Sequence, residues 1–285
     1  MSDYSIWMLE YAQIPNHHLS SILYGQHNQG TRPITLTILV IKGKGHIALV
    51  DIGFNNQGYA HELAEEFGIT NWHSPQETLA RIGLSPEEVD TIFITHAHFD
   101  HMGNLDTFPN AQIYVQKKEI LDSNWALSLP EKYNFLKSAI NPQDIQTAIN
   151  LNADGRMSFV NGHRKNVLPG ISLVPAYNSH SYGSQMVIIE TTGSEGHLEK
   201  FVVAGDNCYS YENLYGINHS GVYQPVGFGV GSQVNMIQAI DQMMEITNHD
   251  YKHVIVGHEP KSWETFRSWT SEDGMHIAEI HIAKE

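Results

Sequence analysis

Within six consecutive residues of this 285-residue chain, His96-Ala97-His98-Phe99-Asp100-His101, four side chains are of types that ligate metal ions. They follow the apolar run Thr91–Thr95, which reads as a buried strand. In extended backbone His96 and His98 project to one side, and as the chain turns toward a helix Asp100 and His101 reach a second point beside the first. That spacing suits two metal ions a few ångströms apart. Packing does not explain four such residues in so short a stretch at a strand's C-terminal end.

Two ions need more donors, and three later runs supply them. His180 follows the strand-like Ile171–Ala176, Asp206 ends Phe201-Val202-Val203-Ala204-Gly205-Asp206, and His258 ends Val254-Ile255-Val256-Gly257-His258. A polar residue directly after a buried strand has rigid backbone support, and its side chain emerges at the sheet rim. The combined set resembles the metallo-β-lactamase-fold hydrolases and their HxHxDH motif. The resemblance implies one metal on His96, His98 and His180, a second on Asp100, His101 and His258, and Asp206 bridging the pair. It also implies that Asp51, in Leu49-Val50-Asp51-Ile52-Gly53, orients a ligand histidine. Two divalent ions are expected as cofactors, zinc by default, with iron, manganese and cobalt compatible with the same donors. The chemistry implied is hydrolysis by a metal-bridging hydroxide.

The residues after the bridge narrow the branch. Asp206-Asn207-Cys208-Tyr209, with Glu212-Asn213 following, resembles the N-acyl-homoserine lactonases. There the tyrosine hydroxyl hydrogen-bonds the substrate carbonyl, a role that falls to Tyr209, while Asp100 is a proton shuttle to the leaving group. The bridging aspartate argues against the classical β-lactamases, and His98 stands where flavodiiron oxidoreductases carry a glutamate. The implied activity is opening of a small neutral cyclic ester. A cyclic amide or carbamate (a γ-lactam or benzoxazolinone-type ring), a glyoxalase II-like thioester, redox iron at the same ligands and a metal-binding regulatory protein are the alternatives. The family's usual Gly-His-Thr-Pro-Gly is here Ser179-His180-Ser181-Tyr182-Gly183, so the proline turn is lost and Tyr182 is expected to add bulk near the metals. Cys208 is expected to be a small packing residue. The other histidines, among them His17, are read as surface or packing residues, with His219 the one whose Gly/Tyr-rich loop could bring it to the pocket.

The elements that must position these residues are partly visible. Ile34–Ile41 and His46–Ile52 read as a hairpin through Gly43-Lys44-Gly45. Ser74-Pro75-Gln76-Glu77 and Ser85-Pro86-Glu87-Glu88 each have the spacing of a helix-starting capping box. Gln112–Gln116, Ile171–Ala176, Gln185–Thr192, Lys200–Ala204 and His253–Gly257 read as strands, and Ser232–Ile246 as a helix with a core stripe of Val234, Ile237, Ile240 and Met244. The expected fold is α/β (α+β): a four-layer αββα arrangement in one domain, 1–285, with related halves 1–119 and 169–285 and a helical insertion at 120–168.

Composition limits the partners. With 16 Lys+Arg against 31 Asp+Glu the formal charge is −15, which disfavours nucleic acid and anionic membrane surfaces. It favours a neutral substrate whose acidic product is released. The single cysteine cannot form an internal disulfide, and the first residues lack a signal peptide's basic start and apolar run, so a cytoplasmic protein is expected. A homodimer is compatible with the sequence. The 18 histidines exceed the 16 Lys+Arg, yet only five have ligand positions.

Overall fold

The computed structural model describes residues 3–193 and 196–283. The strands are β1 (Ser5–His18), β2 (Thr31–Gly43), β3 (His46–Val50), β4 (Thr91–Phe93), β5 (Gln112–Gln116), β6 (Met157–Val160), β7 (Arg164–Leu168), β8 (Ile171–Tyr177), β9 (Gly183–Thr192), β10 (Leu198–Val203), β11 (Val254–Ile255), β12 (Arg267–Thr270) and β13 (His276–His281). They form an eight-stranded sheet in the order β12-β13-β1-β2-β3-β4-β5-β6 and a five-stranded sheet in the order β11-β10-β9-β8-β7. The first is antiparallel as far as β3 and parallel from β3 to β6. The helices are α1 (Leu19–Ile22), α2 (Gly58–Phe67), α3 (Pro75–Ala80), α4 (Phe99–Met102), α5 (Lys117–Leu127), α6 (Pro142–Ala153), α7 (Tyr211–Tyr215), α8 (Gln233–Ile246) and α9 (Ser262–Thr265).

Strand periodicity creates the layers, because successive side chains point to opposite faces. Along β2, Leu39 and Ile41 join Leu173 and Val187 of the second sheet in the core between the sheets. Leu36, Ile38 and Val40 point the other way, into a core shared with Leu63 of α2, Leu79 of α3 and Ile145 of α6. On the far side Val174, Met186 and Val202 pack against Ile240 and Met243 of α8. The result is the αββα sandwich expected from sequence. Its chemistry-bearing loops leave the C-terminal ends of β3, β4, β8, β10 and β11, so they converge at one edge.

The hairpin forms with Gly43 opposite His46. Lys44 and Gly45 both have positive φ, 53° and 85°, as a tight hairpin turn matching the strand twist requires. The Ser74 capping box starts α3, with the Ser74 side chain accepting from the Glu77 N–H. The second box closes only a single 3-10 turn, Pro86–Glu88. Val89 is already extended and buried, and the Asp90 N–H bonds to Ile47 O, drawing the chain into the sheet.

Five strands have no counterpart in the sequence reading: β1, β6, β7, β12 and β13. β1 lacks clean alternation because both its faces are buried, Ile6 and Met8 between the sheets and Leu9, Tyr11 and Ile14 under the helices, with a bulge between Glu10 and Ala12. The α8 stripe needs correction. Val234 and Ile237 are exposed, and the buried face is Met236, Ala239, Ile240, Met243 and Met244. Apolar residues occur on more than one face of this helix, so spacing alone admitted two rotations. Within 120–168 the helical part ends at Ala153; Met157–Val160 then extends the first sheet beside β5 and Arg164–Leu168 opens the second. Among the described residues, no helix is long and apolar enough to cross a membrane.

Candidate metal centre

The loops at the sandwich edge bring all seven sequence-picked donor residues together. Donor atoms of His96, His98, His180 and Asp206 lie within 4.8 Å of one another, and those of Asp100, His101 and His258 form a second group of the same kind. Asp206 stands between them. Its Oδ2 is 3.3 Å from His180 Nε2 and 3.6 Å from His96 Nε2, and its Oδ1 is 3.0 Å from His258 Nε2 and 3.2 Å from His101 Nε2. Asp100 Oδ2 is 3.4 Å from His101 Nε2.

Two observations test whether this set fits metal ions. The buried Nε2 atoms of His96 and His101 have no hydrogen-bond partner. Leaving such a group unpaired costs about 1–3 kcal/mol, which a cation held between the rings would remove. The donors themselves, five imidazoles with two carboxylates, are a chemistry suited to divalent ions. The cluster can therefore hold divalent metal ions.

The opposite ring nitrogens are fixed by the protein. His101 Nδ1 lies 2.8 Å from Asp51 Oδ2, His258 Nδ1 2.8 Å from Thr35 O, His180 Nδ1 2.9 Å from Phe228 O, and His96 Nδ1 3.0 Å from Thr95 Oγ1. Asp51, which adopts φ 59°, also accepts from the Thr95 N–H and hydroxyl, each at 2.7 Å, so one carboxylate joins the end of β3 to the motif after β4. The Tyr11 hydroxyl donates to Asp100 O at 2.7 Å. Gly205, just before Asp206, has φ +53°, and a Cβ there would meet Thr95 Cβ at 2.8 Å, so this close approach requires glycine.

Burial and neighbouring charge set the protonation states. Burial lowers His96 well below 6.5 and His98 to about 3, and neighbouring imidazoles reinforce it; both stay neutral and free to donate an electron pair. For His101 burial acts downward, but Asp206, Asp100 and Asp51 outweigh it and raise the group. Burial would raise Asp206, yet His101, His258, His96 and His180 hold it well below the usual carboxylate range. Tyr209 is buried, its ring 4.7 Å from that of His258 and 5.8 Å from that of His180. Burial and the Asp206 and Asp100 carboxylates push its hydroxyl well above 10, so it remains a proton donor. Asn213 Oδ1 accepts from the N–H groups of Tyr209 and Ser210, fixing the turn that presents the ring.

A cavity of about 30 Å³ lies against the cluster, bounded by Asp206, Tyr209, His258 and the hydrocarbon of Ile34, Phe99 and Phe228. Phe67, Ala139 and Phe228 are shared with an outer groove of about 660 Å³, which the insertion lines with Leu127, Lys137 and Ile140. Several expectations change here. Tyr182 does not line the inner cavity; its hydroxyl donates to Leu136 O at 2.7 Å, and its ring meets Trp125 edge-on, under the insertion. His219 stacks on Tyr215 at 4.2 Å, exposed, and does not line the cavity, whereas His17 does. Cys208 is fully buried among apolar side chains, and burial pushes its thiol up, as a packing residue requires.

Two contributors escape the sequence reading. Glu119, buried on α5, accepts from the Ala97 N–H between His96 and His98 at 2.8 Å, and from the Ser181 hydroxyl at 2.8 Å and the Gly183 N–H just after His180. One carboxylate thus holds both loops of the His96/His98/His180 group where the proline turn is absent. Phe228 sits in Gly227-Phe228-Gly229-Val230-Gly231; at Gly229 and Gly231 a Cβ would strike the backbone at His180 and Ser179. The alternating glycines were the available signal.

Residues 31–166 match the family described as the metallo-beta-lactamase superfamily, and the αββα architecture is that fold. Within it the resemblance is to N-acyl homoserine lactonases. The chain is 22% identical over 193 residues to N-acyl homoserine lactonase AttM of Rhizobium johnstonii, covering 65% of this chain and 64% of that relative. An N-acyl homoserine lactonase of a Bacillus species is 31% identical over 182 residues, covering 62% and 61%. The chain thus spans less than two thirds of these relatives' length. Among solved structures, a quorum-quenching N-acyl homoserine lactone lactonase superposes with a TM-score of 0.67 at 19% identity, covering 94% of this chain and 97% of its own. AidC, a dizinc quorum-quenching lactonase, gives 0.62 at 18% identity, covering 95% and 92%.

Proposed function

We propose that this protein is a dinuclear metal-dependent hydrolase that opens a small neutral lactone. The observation that carries the reading is Asp206 standing between two donor groups, with the buried Tyr209 ring beside them. His96, His98 and His180 would hold one ion, Asp100, His101 and His258 the other, and Asp206 both, with zinc the default. When bound, two such ions supply Lewis-acid polarisation and an activated water.

The chain's own groups do the rest. The Tyr209 hydroxyl, kept protonated, donates to the substrate carbonyl oxygen and stabilises charge as it develops. Burial would raise Asp100, but His101 holds it ionised, ready to accept a proton and return it to the ring oxygen as the ring opens. Phe99 and Phe228 wall the cavity and limit water around the reacting bond. A ring with one polar edge and an apolar remainder matches the polarity of such a lining. The lactonase names of the relatives support the ester over the amide.

The test is turnover on a panel of lactones, lactams, cyclic carbamates and thioesters, read by product mass, on protein whose metal content has been measured. Ring opening of a lactone adds one water to the substrate and gives a single product. Turnover confined to thioesters, with two products, would replace this reading by a thioester hydrolase. Turnover confined to lactams or carbamates would keep the centre and change the leaving atom to nitrogen.

A further inference from the structure

His17 lies near the C-terminal end of β1, just past a bulge and in register with Arg32 of β2. Its Nε2 is buried and has no hydrogen-bond partner. Its ring is 6.1 Å from that of Tyr209, and it lines the same inner cavity as Asp100, Asp206, Tyr209 and His258. Apart from the residues already assigned to the centre, the other side chains around this cavity are hydrocarbon, such as Ile34, Leu36 and Phe99. A lone unpaired imidazole nitrogen in such a wall is a cost the free protein carries without return. Burial and nearby His258 lower its pKa to about 4, so near neutral pH it is an uncharged ring able to donate or accept.

We propose that His17 is the specificity residue of the pocket: its Nε2 hydrogen-bonds a second polar group of the substrate, an amide or hydroxyl carried on or beside the ring being opened. The hydrolysed carbonyl belongs to the metal side and Tyr209, so His17 addresses a different atom. A pocket built with one buried hydrogen-bonding group discriminates against an analogue lacking the partner, because that analogue leaves the group unpaired. The preferred substrate class is therefore a lactone with a hydrogen-bonding substituent, not a simple alkyl lactone. This rests on the lactonase reading above.

The experiment uses the metal-loaded full chain and two probes, N-hexanoyl-homoserine lactone, with an amide beside the ring, and γ-decalactone, with only an alkyl chain. His17→Phe keeps a ring and removes the nitrogen; His17→Gln restores a hydrogen-bonding group; His17→Leu serves if the phenylalanine variant does not fold. Wild type is expected to prefer the amide-bearing lactone. His17→Phe should lower kcat/KM on it by about 10–100-fold while changing γ-decalactone less than about twofold, and His17→Gln should recover part of the loss. Equal losses on both probes, or no loss on either, overturn the assignment of His17 and leave the lactonase reading standing. Wild type that opens neither lactone removes the lactonase reading, and this inference with it.

Discussion

The two halves of the donor cluster are held in different ways. His96, His98 and His180 are three buried imidazoles whose pKa values burial lowers, and their loops are tied by backbone and hydroxyl donors to Glu119. Asp100, His101 and His258 include a carboxylate. Around them Asp51 touches an imidazole directly, Thr35 O accepts from His258, and Tyr11 anchors the Asp100 backbone. In the first half a carboxylate positions loops; in the second, one orients a ligand ring and adds to its basicity. The same end, a fixed ring nitrogen facing Asp206, is reached by folding constraint on one side and by electrostatics on the other.

The largest expected effect comes from Asp206→Asn, which removes the one group common to both halves. Both ions should bind more weakly, with activity falling further than the roughly 10–100-fold of a change outside the ligand set. Full two-metal content with full activity would show that the halves do not share Asp206. Tyr209→Phe should lower kcat by about 10²–10³-fold with metal content intact. Unchanged turnover on the true substrate would remove Tyr209 from the reaction. Glu119→Gln and Asp51→Asn test the comparison itself. Each should weaken one ion by about 10–100-fold, Glu119→Gln the one at His96/His98/His180 and Asp51→Asn the one at His101/His258. Titrating cobalt into metal-free protein and following its absorption resolves the two, and loss of the same ion in both variants would make the distinction void.

The smallest effect lies outside both halves and concerns stability. Asp51, Glu119 and Asp206 all face donors or cationic partners, whereas Asp144, buried near the N-terminus of α6 beside a polar groove of about 590 Å³, leaves Oδ2 unpartnered. Burial, with Asp106 adding repulsion, raises it to about 7. Its folded value lies above the unfolded one, so the folded state holds a proton that the unfolded chain has released. Stability therefore falls as pH rises from about 4 to about 7, by at most about 4 kcal/mol, and the penalty is full above that range. Asp144→Asn should melt higher than wild type at pH 8, with the advantage gone by pH 4. An advantage independent of pH would show that the carboxylate is not strained by burial.

The hairpin, α3, α8 and most strands of the second sheet were readable, because turn residues, capping boxes and apolar runs are local signals. β1 was not, since a strand buried on both faces loses its alternation. The face of α8 was misread for a related reason: Val234 and Ile237 are as apolar as the Met236 and Met243 that the sheet covers. The seven His and Asp side chains that cluster at the edge stood out because each follows an apolar run or sits in the dense motif after β4. Glu119, Phe228 and His17 were not, because their roles depend on elements far away in the chain meeting at one edge.

By itself the sequence singled out the His and Asp side chains of ligand type and placed them after strands, since residue type and local backbone period are written along the chain. Only the tertiary structure decided that Asp206 divides its two oxygens between two donor groups, that Tyr182 turns away under the insertion, and that His17 enters the pocket. Those outcomes depend on how two sheets pack face to face, and that packing sums many weak contacts between residues distant in sequence.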